Sequence, residues 1–230
     1  MKHLQTFIRI LLNVFILTFA CCAYATNLHS QSYGSELQIP DIQVFAMDET
    51  NYSNEKIQQM FAQAFDVFSQ CGLRGGMVQI KHETGEGDKG SFALYDEESK
   101  FSILNKFRSE KSNAAIKVFL IRTFSDKDYS AGQSYASWVD IQVSPTEREM
   151  QNSVWIATTT LEVLEKTEAS RYNTLAHEMA HVLTRYGQHN GKDLENLMDI
   201  YQRRTNYILP EDCEQIRKNP FFTQLSANTN

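Results

Sequence analysis

From Asn54 to Gly72 the apolar positions recur at helical spacing. In NEKIQQMFAQAFDVFSQCG, Ile57, Met60, Phe61, Ala64, Phe65 and Phe68 share one broad face. Gly72 stands where a helix end takes a left-handed residue. Elsewhere the period falls to two, or the apolar run is unbroken. LQIPDIQVFAM (37–47) and MVQIKH (77–82) read as strands, as do the β-rich segments QSYASWVDIQVS (133–144) and SVWIATTTL (153–161). IKVFLIRTF (116–124) has a continuous apolar centre, which predicts a strand covered on both faces. Between them, GEGDKG (85–90) lacks the ending of a phosphate loop and reads as a solvated turn. DEESK (96–100) reads as the exposed start of a short helix running toward Phe107. From Thr174 to Tyr186 helical spacing returns, with Leu175, Met179, Val182 and Tyr186 on one stripe. Alternating strands and helices with a helical end predict an α/β domain.

The first 25 residues stand apart. Lys2 and Arg9 make a positive start, ILLNVFILTFACCA (10–23) is an apolar stretch too short to span a bilayer comfortably, and Ala23-Tyr24-Ala25 offers a cleavage site. Residues 1–25 therefore read as a signal peptide and 26–230 as a single domain, with no repeat or Pro/Gly-rich linker to divide it. The expected location is outside the cytoplasm, secreted or periplasmic, with no membrane association after cleavage. Of 230 residues, 42% are hydrophobic and 22% charged, as in ordinary globular proteins. A formal charge of -6 argues against a nucleic-acid partner, which requires a basic face. Cleavage would leave only Cys71 and Cys213, which in an exported chain can form one disulfide or stay as two buried thiols.

The chemistry concentrates in HEMAHVLTRYGQH (177–189). His177 and His181 lie about 40° apart on the helix, roughly opposite the apolar stripe, with backbones about 6 Å apart along the axis, so both imidazoles can reach one ion. Glu178 is about 100° further round, beside such an ion rather than beneath it, where a base can take a proton from bound water. The HExxH spacing thus points to Zn²⁺ as the cofactor, with Glu178 as general base. A catalytic zinc needs a third protein ligand. His189, just past Gly187, is the expected one, with Asp193, Glu195 or Asp199 as carboxylate alternatives. His29 and His82 are the other histidines of the cleaved chain.

Here the sequence resembles the metzincins, a clan of zinc endopeptidases. TLAHEMAHVL (174–183) looks like their active-site helix and NLMD (196–199) like the tight methionine turn beneath the metal. AQAFDVFSQCGLRGGMVQI (62–80) is similar to the first helix and following strand of secreted bacterial members, and LPEDCEQIR (209–217) resembles their C-terminal helix. The likeness covers most of 37–218. It implies a twisted mixed sheet of about five strands with an antiparallel edge strand, a backing helix, an active-site helix and a C-terminal helix whose Cys213 would meet Cys71. It also implies that Met198 supports the metal from below, that Tyr201 contacts the transition state, and that Ser134, Tyr135 and Ala136 on the edge strand pair with an extended substrate. The chain departs from the family's HExxHxxGxxH at two points. Thr184 stands where glycine belongs, and the third histidine comes two residues late, so the helix must run about half a turn further before bending.

The expected activity is that of a secreted zinc metalloendopeptidase acting on peptides or proteins, in which a metal-activated water attacks the scissile carbonyl and Glu178 is the general base. No GxSxG occurs, which disfavours a serine nucleophile. The alternative is a secreted binding or interaction protein whose zinc is structural and inert, its fourth position closed by one of the downstream carboxylates. Cell-wall peptides are a further possible substrate class; the sequence does not separate them from proteins.

Overall fold

The computed structural model describes residues 37–47, 50–83, 91–92, 116–124, 132–135, 151–165, 173–184, 196–199, 205–219 and 222. The proposed signal segment, the expected turn at 85–90, the expected helix start at 96–100, and residues 136–144, 186, 187, 189, 193, 195 and 201 lie outside them. In chain order the elements are β1 (Leu37–Gln38), β2 (Ile42–Met47), α1 (Asn54–Ser69), β3 (Leu73–Arg74), β4 (Val78–Glu83), β5 (Ser91–Phe92), β6 (Ile116–Ile121) and β7 (Thr123–Phe124). They continue with β8 (Gly132–Tyr135), β9 (Ser153–Ala157), α2 (Thr158–Glu165), α3 (Thr174–Thr184) and α4 (Pro210–Arg217). All belong to one compact unit, Ser35–Asn230.

The fold is mixed α/β, as expected. Its main sheet has the order β4-β2-β6-β9-β8. β2, β4, β6 and β9 run parallel, and β8 alone is antiparallel, pairing Gly132 with Ile156 and Ser134 with Val154 at the edge. Both faces of the centre are covered. Phe45, Phe119 and Trp155 sit side by side in register and stack with ring centroids 5.1 and 4.0 Å apart. On the other face Val44, Val118 and Val154 are fully buried. The continuous apolar run at 116–121 is explained by this double cover.

Three readings of the sequence shift. The 37–47 segment is two strands, because Pro40 brings no N–H to a ladder and the chain turns there. Ile39 N–H donates to Arg74 O at 2.8 Å, Ile42 N–H to Met77 O at 2.8 Å, and Asp41 accepts from Met77 N–H at 3.1 Å. The 153–161 segment ceases to be strand at Ala157 and becomes α2. There Thr158 Oγ1 donates to Ile121 O at 3.1 Å and Thr159 N–H to Arg122 O at 3.0 Å, so tertiary bonds override the β-branched run. On α1, Val67 rather than Phe65 completes the buried face; Phe65 is half-buried, its ring over Gly75.

Helix α1 begins at Ser53, whose hydroxyl accepts from Lys56 N–H at 3.3 Å. It is capped at Gln70, and two residues on Gly72 adopts φ 66°, the left-handed conformation its sequence position predicts. The end of α1 is then tied to the C-terminal segment. Cys71 and Cys213 form a disulfide with Cα atoms 4.9 Å apart, and Arg217 Nη1 donates to Cys71 O at 3.0 Å. Gln70 Nε2 donates to Asn206 O at 2.6 Å. Among the described residues no helix is long and apolar enough to cross a membrane.

Candidate functional site

Helix α3 carries the HExxH residues and packs against β8, β9, α1 and α4. Its start is set by Asn173, whose side-chain oxygen accepts from Ala176 N–H at 2.9 Å while its carbonyl accepts from His177 N–H at 2.9 Å. Asn173 is itself held by Asn206, whose Oδ1 accepts from Asn173 N–H at 2.7 Å. At the other end Asn219 Nδ2 donates to Leu183 O at 2.7 Å, which occupies a carbonyl the helix leaves without an intrahelical partner. A single apolar stripe understates this helix: every residue from Thr174 to Thr184 is buried, the histidine side included.

Three polar groups within two turns are therefore enclosed. His177 is 1% exposed, Glu178 7% and His181 6%. The His177 and His181 rings meet edge to face with centroids 4.8 Å apart. His177 Nδ1 lies 2.6 Å from Leu197 O, and a carbonyl oxygen can only accept, so the proton sits on Nδ1, the tautomer in which Nε2 carries the lone pair. This donor set fits a zinc ion: two imidazoles on one face of a buried helix, one of them locked in the ligand tautomer by the backbone.

That carbonyl belongs to a built turn. Asn196 Oδ1 accepts from Met198 N–H at 2.8 Å, Asn196 O accepts from Asp199 N–H at 3.3 Å, and Leu197 N–H donates to Tyr207 O at 2.7 Å. Leu197, Met198 and Asp199 are all buried. Among the described residues no group of three or more His, Cys, Asp or Glu is placed to hold a metal ion, and Asp199 is buried in the turn. His189, Asp193, Glu195, Tyr201 and Ala136 lie outside the described residues. His82 is exposed on β4 and bonds Asn54 Oδ1 at 2.7 Å, away from α3. Ser134 is on β8, the strand beside which α3 packs.

Thr184 matters for the third ligand. Where the family's pattern would have the glycine, the chain is still helical, and Thr184 Oγ1 donates back to Ala180 O at 2.7 Å. Thr184 is the last described residue of the helix.

Several supports went unread in the sequence. Asn173 before an apolar run is an N-cap signal, and Asn196 in NLMD is a turn-forming residue, so both were available. Gln70 and Asn206 carry no local signal, because each acts through main-chain groups far away in the chain.

No protein-family model matches the sequence, and no curated protein does. Among solved structures, metalloproteinase-II from Bacteroides fragilis matches with a TM-score of 0.54 at 12% identity, over 82% of this chain and 54% of that one. The chain thus spans about half the length of that protein. A chaperone-substrate complex matches with a TM-score of 0.41 at 13% identity, over 78% of this chain and 33% of that one. The first likeness is one of fold: the mixed sheet with its antiparallel edge is an architecture a metalloproteinase also uses.

Proposed function

We propose that the chain is an exported zinc-dependent endopeptidase of the metzincin kind, with residues 1–25 its signal peptide and 26–230 its single catalytic domain. One observation carries the reading: the Nδ1–H of a buried HExxH histidine is held by the carbonyl of the methionine turn. A metal-ligating histidine generally makes this bond through its second ring nitrogen.

His177, His181 and His189 would hold the ion. Bound there, zinc supplies a Lewis acid for the scissile carbonyl and lowers the pKa of water toward neutrality. Leu197 O keeps the His177 ring oriented, and Met198 would support the metal from beneath. Glu178, buried on the same helix, accepts a proton at its carboxylate from the attacking water and delivers it to the leaving amine nitrogen. An extended peptide adds to the outer edge of β8 through main-chain hydrogen bonds, with Ser134, Tyr135 and Ala136 along it. Tyr201 would contact the tetrahedral oxygen. Export agrees with the Cys71–Cys213 disulfide.

The test is cleavage of a diverse peptide mixture, read by mass spectrometry, with a Glu178→Ala variant of equal zinc content run beside the parent. Cleavage by the parent alone is the expected result. A parent that binds zinc stoichiometrically and cuts nothing would point instead to a structural metal in a binding protein.

A further inference from the structure

β8 begins at Gly132, paired with Ile156 of β9, and α3 packs against both strands. A methyl group on Gly132 would stand 2.7 Å from Glu178 Cγ, 2.9 Å from Oε1 and 3.1 Å from Cδ. The first two are closer than carbon atoms and their neighbours tolerate, and the three nearest atoms all belong to one side chain. Glu178 is 7% exposed, so it has little room to swing aside. No backbone atom is among those three, so the strand itself could accept alanine if the glutamate were absent.

We propose that Gly132 is a positioning residue: the side chain it lacks is the space in which the Glu178 carboxyl group lies against the edge strand. The absence of a Cβ lets the acid approach the strand that would hold the peptide, and close packing on the strand fixes its direction. This inference rests on the peptidase reading for its consequence in catalysis, while the packing relation stands on the geometry alone. Relief of the clash requires the carboxyl group to move by several tenths of an ångström or more. Misplacement of a reacting group on the order of 1 Å costs roughly 100-fold in rate.

The experiment is a double-mutant cycle on protein purified from cells expressing the full chain: parent, Gly132→Ala, Glu178→Ala and the double variant. Each is melted without added metal, and the two that keep Glu178 are assayed with zinc on a cleavable peptide. Gly132→Ala should lower Tm by roughly 3–10 °C where Glu178 is present. In the Glu178→Ala background the same change should move Tm by no more than about 1 °C, because the atoms it would meet are gone. With zinc, Gly132→Ala should lower kcat by roughly 10–100-fold, with KM and zinc stoichiometry unchanged. An equal fall in Tm in both backgrounds would overturn the packing relation. Coupled Tm values with an unchanged kcat would overturn the positioning role. If the zinc-loaded parent cleaves nothing, the peptidase reading falls with the catalytic part of this one, and the thermal cycle still decides whether Gly132 makes room for Glu178.

Discussion

His177 Nδ1 donates to Leu197 O at 2.6 Å, across twenty positions of sequence. The bond joins the helix that offers the imidazoles to the turn beneath them, and it is buried at both ends. Each partner is fixed by a separate set of contacts. The helix start is capped by Asn173, and the turn is closed by Asn196 and by Leu197 N–H bonding Tyr207 O. Two rigid pieces held in this way leave the His177 ring little freedom, which is the condition for a preformed ligand.

Zinc should therefore raise thermal stability, and through the histidines that hold it. At free zinc near 100 times Kd the gain is about 2.7 kcal/mol, or roughly 5–10 °C in Tm. His177→Ala and His181→Ala should each abolish most of that shift while melting reversibly without metal. Differential scanning calorimetry with and without zinc measures it. An undiminished shift in both variants would place the ion elsewhere.

Asn196→Ala should loosen the turn without touching any ligand. Met198 N–H loses its acceptor, at a cost of about 1–2 kcal/mol, and the Leu197 carbonyl loses its fixed direction. Zinc affinity should fall by roughly 10–100-fold, the usual scale for a lost supporting partner. Asn196→Asp keeps the oxygen that accepts from Met198 and should recover most of the affinity. Competition titration against a chelator of known affinity gives both values.

Much of this arrangement was legible in the sequence because its cause is local. A four-residue step on a helix puts His177 and His181 together wherever the helix sits, and a run such as IKVFLI announces burial on both faces. NLMD was legible as a turn through its resemblance to the metzincins' methionine turn. What was not legible depends on distant partners. Gly132 looks like any loop glycine until Glu178, which is 46 positions away, is seen lying against it. The start of α2 at Thr158 depends on carbonyls of Ile121 and Arg122, and no residue near Thr158 signals the change from strand. Thr184 is intermediate: its identity broke the family spacing in the sequence, and its back-bond to Ala180 O gives the physical form of that break.

Asn219→Ala should weaken the far end of the same helix. Its amide donates to Leu183 O at 2.7 Å from a buried position, and alanine would leave that carbonyl without this donor. The expected loss is about 1–2 kcal/mol, read as a lower urea midpoint with an unchanged slope. Asn219→Asp should be no better, since a carboxylate cannot donate the bond. Equal midpoints for parent and alanine variant would show that Leu183 O is satisfied by other means.

The disulfide holds together the segments on which the turn depends. Cys71 and Cys213 are 142 positions apart, so the closed loop is long. On the chain-entropy model its loss costs about 5 kcal/mol, or roughly 10–20 °C in Tm. Its neighbours make the loss local as well as global. Gln70, the residue before Cys71, donates to Asn206 O, and Asn206 in turn receives Asn173 N–H at the start of α3. A Cys71→Ala/Cys213→Ala variant should therefore lose zinc affinity at temperatures where it is still folded, by more than a surface substitution remote from α3 does. Isothermal titration well below the lowered Tm separates the two effects. An unchanged affinity there would show that the turn and the helix cap hold their geometry without the clamp at the end of α1.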